Sequence, residues 1–232
     1  MKAILQNISK AISHLVYPAL CQGCGTDVLN ESCICSQCYS TLPFTNYTLN
    51  NENPVAKIFY GRSKIETATS LLYFTKNSLV QYLITQLKYK NNQNVGIYLG
   101  ELLGFALLKQ ENFNSIDALI PLPLSKQKQF KRGYNQAALI AQGIENITKV
   151  PVWDNVVERV KNTSTQTHEN RINRWQQMED VFTITNPSQL HHKHILLIDD
   201  VITTGATLES CANCITQNQH CKVSIATVAQ TF

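Results

Sequence analysis

The feature that most constrains the fold is a run of residues near the C-terminus, from Ile195 to Thr207. It begins with four apolar residues, 195–198, which are too few for a helix of their own and predict a buried strand. Asp199 and Asp200 follow at the expected carboxyl end of that strand. A turn of small residues then leads into a helix that begins near Leu208. The run therefore predicts a strand–turn–helix corner with two carboxylates at one edge of a sheet.

The turn has the composition of an anion site. Small residues let backbone N–H groups converge, and the N-terminus of the following helix adds a partial positive charge. The two carboxylates could take sugar hydroxyls, directly or through Mg²⁺. A Walker loop is excluded because no Gly-Lys-Ser/Thr follows the first glycine. A generic corner with a capping threonine is the alternative. The candidate phosphate residues are Thr203, Thr204, Gly205, Ala206 and Thr207.

Strand and helix patterns alternate along the chain, which predicts an α/β fold with a mostly parallel sheet and ligands at its carboxyl edge. With 232 residues, of which 44% are hydrophobic, the chain can form one such domain and a small module. The predicted strands are 69–74, 116–120, 156–160, 181–184, 195–198 and 223–228. The predicted helices are 80–90, 95–109 and 135–147.

Two Cys-x-x-Cys pairs predict a small zinc ribbon. Each pair lets two thiolates reach one ion, and two pairs complete a closed tetrahedral site that is structural, not catalytic. The binding energy would fold a segment too short to own a core. Disulfides or vestigial cysteines are the alternatives. The predicted ligands are Cys21, Cys24, Cys35 and Cys38. Cys33 could replace Cys35, although the spacing favours Cys35, and Cys211 and Cys214 are assigned to the core.

The N-terminal part, residues 1–45, is predicted to hold a helix and this ribbon, and residues 55–232 the α/β domain. The polar stretch 46–54 is the candidate linker. Apolar residues in 1–20 fall on one helical face, which predicts a helix packed on its own domain, or else one that contacts a partner or a membrane surface. No apolar run is long enough for a transmembrane span, and no signal peptide is visible. We therefore expect a cytoplasmic protein with reduced thiols.

Two segments are rich in basic residues. The first follows the predicted turn at 121–124 and has Phe130 and Tyr134 among its cations, which are Lys126, Lys128, Lys131 and Arg132. A positive surface with aromatics suits a polyphosphate or single-stranded nucleic acid, whereas the alternative is a solvated loop with its aromatics in the core. The second segment, 158–175, is a long polar loop that could close as a lid over a reactive sugar, or be a plain surface loop.

The Asp-Asp-x-x-Thr-Thr-Gly-x-Thr run resembles the signature of the type I phosphoribosyltransferases. Together with the cysteine ribbon, the Arg-Gly-Tyr-Asn-Gln segment at 132–136, and Thr163, Gln166 and Arg174, it resembles the ComF family, and within it the ComFC-type proteins of bacterial DNA uptake. The resemblance covers nearly the whole chain. The departures are Lys128, Glu169 and Gln177, where the family usually has Arg, Leu and Asn.

The resemblance implies a fold of the type I phosphoribosyltransferase kind and a site for phosphoribosyl pyrophosphate. Residues 203–207 would cradle its 5′-phosphate, and Asp199 and Asp200 would lie beside the ribose 2′ and 3′ hydroxyls, with Mg²⁺ accompanying the substrate. The turn at 121–124 would face the pyrophosphate. The residues implied for the pyrophosphate and the lid are Leu122, Pro123, Arg132, Gln166 and Arg174.

The sequence leaves several functions open, all consistent with a net charge of +4. A phosphoribosyltransferase would move phosphoribose to a nitrogen nucleophile by fixing the ribose and excluding water. No residue stands out as a general base for the acceptor. A non-catalytic module would instead bind single-stranded DNA during natural transformation, beside a helicase or recombination protein. Base salvage is the remaining alternative.

Overall fold

The computed structural model describes residues 19–28, 32–47, 52–160, 181–218 and 220–231. Its main sheet has four parallel strands in the order β1-β6-β5-β2, and β3 pairs with β4 in a separate antiparallel ribbon. The expectation of an α/β fold with a mostly parallel sheet is therefore confirmed. The strands are β1 (Ala68–Tyr73), β2 (Ala118–Pro121), β3 (Val157–Val160), β4 (Val181–Ile184), β5 (His194–Ile202) and β6 (Lys222–Gln230).

Helix boundaries follow from local capping. The Ser78 hydroxyl accepts the Gln81 N–H at 3.2 Å, and the Asn135 side chain accepts the Ala137 N–H at 3.0 Å. Such caps satisfy amides that have no carbonyl partner within the helix. The helices are α1 (Ser36–Ser40), α2 (Pro54–Lys57), α3 (Leu79–Tyr89), α4 (Gln93–Leu108), α5 (Lys126–Arg132), α6 (Gln136–Thr148), α7 (Pro187–Leu190) and α8 (Ala206–Asn218), with a 3₁₀ turn at Glu111–Ser115.

The sheet is covered on both faces. In β5, Leu196 and Ile198 pack against the layer formed by α3, α4 and α6. Ile195 and Leu197 pack against the opposite layer, which contains α2 and α8. A parallel strand buried on both faces is apolar at every position, which explains the continuous run in the sequence. The strand is longer than predicted, because it continues through both aspartates to Ile202.

Helices α4 and α6 cross so closely that glycine is required at the contact. A Cβ on Gly143 would lie 2.1 Å from the Ile97 carbonyl oxygen, and one on Gly100 would lie 2.1 Å from the Ile140 carbonyl oxygen. Backbone atoms cannot move aside as a flexible side chain can. This contact fixes α6, and with it the Arg132–Gln136 segment at the start of that helix.

The cysteine ribbon packs directly on the sheet domain. The Thr45 N–H donates to the Leu71 carbonyl, and the Tyr73 N–H donates to the Pro43 carbonyl, each at 2.9 Å. Ile34 belongs to the same core cluster as α3 and α4. The division into 1–45 and 55–232 stays a prediction, and most of the predicted N-terminal helix, 1–18, lies outside the described residues. Within the described ranges, no helix has both the length and the apolarity to cross a membrane.

Candidate functional site

The acid pair lies in the carboxyl-terminal half of β5. Asp200 is buried, and its Oδ2 lies 2.9 Å from Lys88 Nζ in an ion pair. Asp199 is half-buried, and its Oδ1 accepts the Asp200 N–H at 2.8 Å. Each of these contacts uses one carboxylate oxygen, so each side chain has a second oxygen with which to bind a sugar hydroxyl or a cation.

Two adjacent carboxylates cannot ionise independently. Burial, and after it the charge of Asp200, raises the pKa of Asp199 to about 7, although the Asp200 N–H, Lys88 and Arg159 oppose this rise. The pair therefore holds a proton near neutral pH more readily than two separate aspartates would. Such a pair can both accept hydrogen bonds from the vicinal hydroxyls of a ribose and donate hydrogen bonds to them.

The loop after β5 turns at Gly205 and leads directly into the N-terminus of α8, an arrangement that can bind an anion. Gly205 adopts φ +73°, and a Cβ there would lie 2.8 Å from Ile58 Cγ2 and 3.0 Å from Phe59 Cε1, so both the backbone conformation and the space require glycine. The first helical bond runs from the Glu209 N–H to the Gly205 carbonyl at 2.8 Å. The amides of 207 and 208 precede that bond and lie at the positive end of α8. Thr203 and Thr204 are exposed, so their hydroxyls can reach a ligand.

Lys88 is the site residue that sequence reasoning missed. It lies in the last turn of α3, far from Asp200 along the chain, and no motif surrounds it. Only the packing of α3 on the sheet brings its ammonium to the acid pair. No signal in one sequence distinguishes Lys88 from the exposed Lys90 two positions later.

The aromatic residue and the arginine of the Arg132–Gln136 segment hold the end of α3. The Tyr134 hydroxyl donates to the Leu87 carbonyl, next to Lys88. The Arg132 guanidinium lies over the Tyr89 ring, 5.7 Å from its centroid. These contacts fix the helical turn that carries Lys88.

The same segment also binds the turn after β2. Asn135 Nδ2 donates to the Leu122 carbonyl at 3.0 Å, and the Leu122 N–H donates to the Ile198 carbonyl at 2.8 Å. The Leu122 side chain is buried and both of its backbone groups are engaged in these bonds, and Pro123 is half-buried beside it. Their predicted role at the pyrophosphate stays a prediction. Three more motif residues, Thr163, Gln166 and Arg174, lie outside the described residues.

The first basic segment forms a short, strongly exposed helix, α5, where the sequence indicated only a basic stretch. Phe130 is 93% exposed, whereas Tyr134 is half-buried. The two aromatics therefore differ, because one projects into solvent and the other packs against α3. The exposed lysines of α5 are Lys126, Lys128 and Lys131.

The four predicted cysteine ligands converge. Their sulfur atoms all lie within 4.8 Å of one another, and the sulfurs of Cys24 and Cys35 are 3.7 Å apart. In a tetrahedron with zinc–sulfur bonds of about 2.3 Å, the sulfurs would be about 3.8 Å apart. The cluster, Cys21, Cys24, Cys35 and Cys38, could therefore hold a metal ion.

Backbone donors favour the thiolate form of Cys21, whereas burial and the neighbouring thiols raise the pKa of Cys38. The Cys21 sulfur accepts the Cys35 N–H at 3.2 Å and the Gly23 N–H at 3.4 Å. Burial opposes ionisation, but hydrogen bonds with Cys24, Cys35 and Gly23 outweigh it and lower the pKa of Cys21 to about 6. Cys33 lies outside the cluster, and burial raises its pKa to about 12. Cys35, which the spacing favours over Cys33, is therefore the residue whose sulfur lies in the cluster.

Comparison with known proteins supports the interpretation of the motifs. A family model described as the phosphoribosyl transferase domain matches residues 107–231, more than half of the chain. Competence protein F of Haemophilus influenzae is 34% identical over 130 residues, which cover 54% of this chain and 57% of that protein. DNA utilization protein YhgH of Salmonella typhimurium is 25% identical over 226 residues, which cover 96% of this chain and 93% of that protein.

A third relative is competence protein ComFC of Bacillus subtilis, 34% identical over 97 residues that cover 42% of this chain and 37% of that protein. The domain match includes the acid pair and the loop of residues 203–207. The names of these relatives agree with the family that the motifs of this chain resemble. The chain belongs to the phosphoribosyl transferase domain family and, within it, is a ComF-family protein.

Proposed function

We propose that this protein binds phosphoribosyl pyrophosphate, or a related ribose phosphate, at the carboxyl edge of its sheet and acts in DNA uptake. The observation that carries the proposal is the acid pair of β5 followed directly by the Gly205 loop and the N-terminus of α8. Asp199 and Asp200 would bind the ribose hydroxyls, and residues 203–207 would surround the 5′-phosphate.

The leaving group would lie toward the turn after β2. Leu122 and Pro123 would line the turn that faces it, and Arg132, Gln166 and Arg174 are the cations and amide that the family resemblance assigns there. The second oxygens of the acid pair suit a hard cation, so the residues present fit Mg²⁺, which would supply positive charge to the pyrophosphate. Transfer of phosphoribose to a nitrogen nucleophile is the reaction that a fixed ribose and a held pyrophosphate would serve.

A calorimetric titration tests this proposal. The full-length protein, titrated with phosphoribosyl pyrophosphate, should bind one molecule per chain, and binding should tighten when Mg²⁺ is added because the metal offsets the charge of the pyrophosphate. Ribose 5-phosphate should compete for the same site, since it shares the ribose and the phosphate. Absence of binding with and without Mg²⁺ would overturn the proposal.

The connection to DNA uptake rests on the relatives, whose names describe competence and DNA utilization. That process would place the protein in the cytoplasm, with a helicase or recombination protein as its partner. The connection does not depend on turnover at the ribose phosphate site, because binding alone could regulate how DNA is handled.

Single-stranded DNA is the second candidate ligand, and α5 is the observation that favours it. Its exposed lysines would contact phosphates, and Phe130, at 93% exposure, offers a whole aromatic face on which a base could stack. An aromatic ring this exposed buries almost no apolar surface against its own chain, so it contributes little to folding and is available to a ligand.

An oligonucleotide binding experiment tests the role of α5. Phe130→Ala should weaken binding of a single-stranded oligonucleotide about tenfold, the value of one base stack. Replacing Lys126, Lys128 and Lys131 together by Ala should lower both the affinity and its salt dependence. Tyr82→Ala, which removes another exposed aromatic on α3, is the matched control and should leave affinity unchanged. Equal affinity of the wild type, the Phe130 variant and the lysine variant would exclude α5 as the binding surface.

For the cysteine cluster, we propose zinc. Four sulfur ligands in a closed tetrahedron are typical of structural zinc, and the cluster leaves no open position for a substrate. The ion would hold the ribbon against α3, where a Cβ on Gly23 would lie 2.9 Å from both Cys38 Sγ and Leu79 Cδ1.

A further inference from the structure

We infer that Arg62 positions the phosphate loop and offsets the charge of Glu209, a role that rests on the proposed ribose phosphate site. Arg62 lies outside the matched domain, which begins at residue 107. It belongs to the short segment 58–62 that follows α2 and packs against the loop 203–207. No motif in the sequence points to this segment.

The guanidinium of Arg62 connects two parts of the chain. Its Nη1 donates to the Thr204 carbonyl at 3.3 Å and to the Ile58 carbonyl at 3.2 Å, and its Nη2 pairs with the Glu209 carboxylate. The planar guanidinium can serve several acceptors at once, as a lysine ammonium cannot in the same geometry. Arg62 therefore fixes the middle of the loop to a segment that is itself anchored in the core.

Apolar contacts support the loop from the same side. Ile58 and Phe59 lie so close to Gly205 that a single added methyl group would overlap both. Phe59 is buried in the cluster that also contains Leu208 of α8. The segment 58–62 is thus the outer wall of the phosphate loop, with apolar contacts at Gly205 and a polar contact at Thr204.

The ion pair with Arg62 also reduces the repulsion between Glu209 and a bound anion. Glu209 lies in the first turn of α8, where a carboxylate stabilises the helix but repels an anion bound at the N-terminus. Its side chain is only 19% exposed, so solvent screens it weakly. With Arg62 present, a phosphate bound at the loop would contact the backbone amides, and the guanidinium would offset the charge of the nearby Glu209 carboxylate.

The test compares full-length Arg62→Ala, Glu209→Gln and the double variant. Arg62→Ala should weaken binding of ribose 5-phosphate about tenfold, since it removes one charge-assisted contact and exposes the phosphate to Glu209. Amide hydrogen exchange at 204–209 in the ligand-free protein should become faster. The double variant should recover part of the affinity, because the carboxylate charge is gone, while exchange remains fast. Lys64→Ala, which removes a nearby exposed cation, is the control and should change neither measurement.

Each outcome separates this inference from the proposed function. Unchanged hydrogen exchange in Arg62→Ala would overturn the positioning role. A double variant that binds as weakly as Arg62→Ala would overturn the electrostatic role. Wild-type protein that shows no ribose 5-phosphate binding, while Arg62→Ala exchanges faster, would overturn the proposed function and support the positioning role.

Discussion

Replacing Asp200 by Asn should lower the affinity for phosphoribosyl pyrophosphate about a hundredfold, or about 3 kcal/mol. Asp200 is buried, and an amide there loses the charge that would hold a ribose hydroxyl or a cation. The change also leaves the Lys88 ammonium, 21% exposed, without its carboxylate partner. Calorimetric titration in the presence of Mg²⁺ measures the effect.

A second variant separates ligand binding from structural damage. Asp200→Asn should also reduce the free energy of unfolding by about 2 kcal/mol, because the partly buried Lys88 loses its ion-pair partner. Adding Lys88→Met should restore most of that stability but none of the affinity, since the neutral helix turn packs well while the ribose contact stays lost. Urea unfolding measures the stability of both variants.

The control is Asp154→Asn, which removes an exposed carboxylate from the turn before β3. It should leave both the affinity and the stability as in the wild type. Asp200→Asn with wild-type affinity would contradict the assignment of the acid pair to the ribose. Recovery of affinity in the double variant would mean that Asp200 acts only through Lys88.

Removing two zinc ligands should have the largest effect on stability. The Cys35→Ser, Cys38→Ser double variant should lose its metal and at least about 5 kcal/mol of unfolding free energy. The buried residues of the ribbon belong to a cluster shared with the sheet domain and form no separate core, so the ribbon depends on the ion for its fold. Elemental analysis should find one zinc per wild-type chain and none in the variant, and thermal unfolding followed by circular dichroism should show the loss of stability.

Cys33→Ser is the matched control for the zinc prediction. Cys33 lies in the same ribbon but outside the sulfur cluster, so this variant should keep one zinc and lose only a small amount of packing. A strong chelator should bring the wild type to the stability of the double variant. Retention of both fold and metal by the double variant would exclude zinc binding at these four cysteines.

Much of the site could be predicted because its parts are local in sequence. Residues 195–207 contain strand, acid pair, loop and helix start in one continuous stretch, and the parallel order of the strands then sets the edge at which they lie. The cysteine cluster was predictable for a similar reason, since spacing within each pair determines whether two thiolates can reach one ion. In both cases the short chain between the functional groups sets most of their relative positions.

The partners of these groups were not predictable. Lys88 reaches Asp200, and Arg62 reaches Thr204 and Glu209, only because helices and loops far apart in sequence pack on the same strands. The packing contacts of the Arg132–Gln136 segment were not predictable for the same reason. Its sequence suggests ligand contacts, which stay a prediction, and the structure adds that Tyr134 and Asn135 hold the end of α3 and the turn after β2.

The chemical groups of this protein can be identified from local sequence: two adjacent carboxylates, a glycine loop at a helix start and two pairs of closely spaced thiols. The charges that surround these groups depend on the tertiary structure. The spacing of residues along a segment determines which ligands it can bind. The pKa of Asp199 and the net charge beside the loop 203–207 depend instead on burial and on groups from other segments. That burial, and the distances to those groups, are established only when α2, α3 and α8 pack around the central strand, β5.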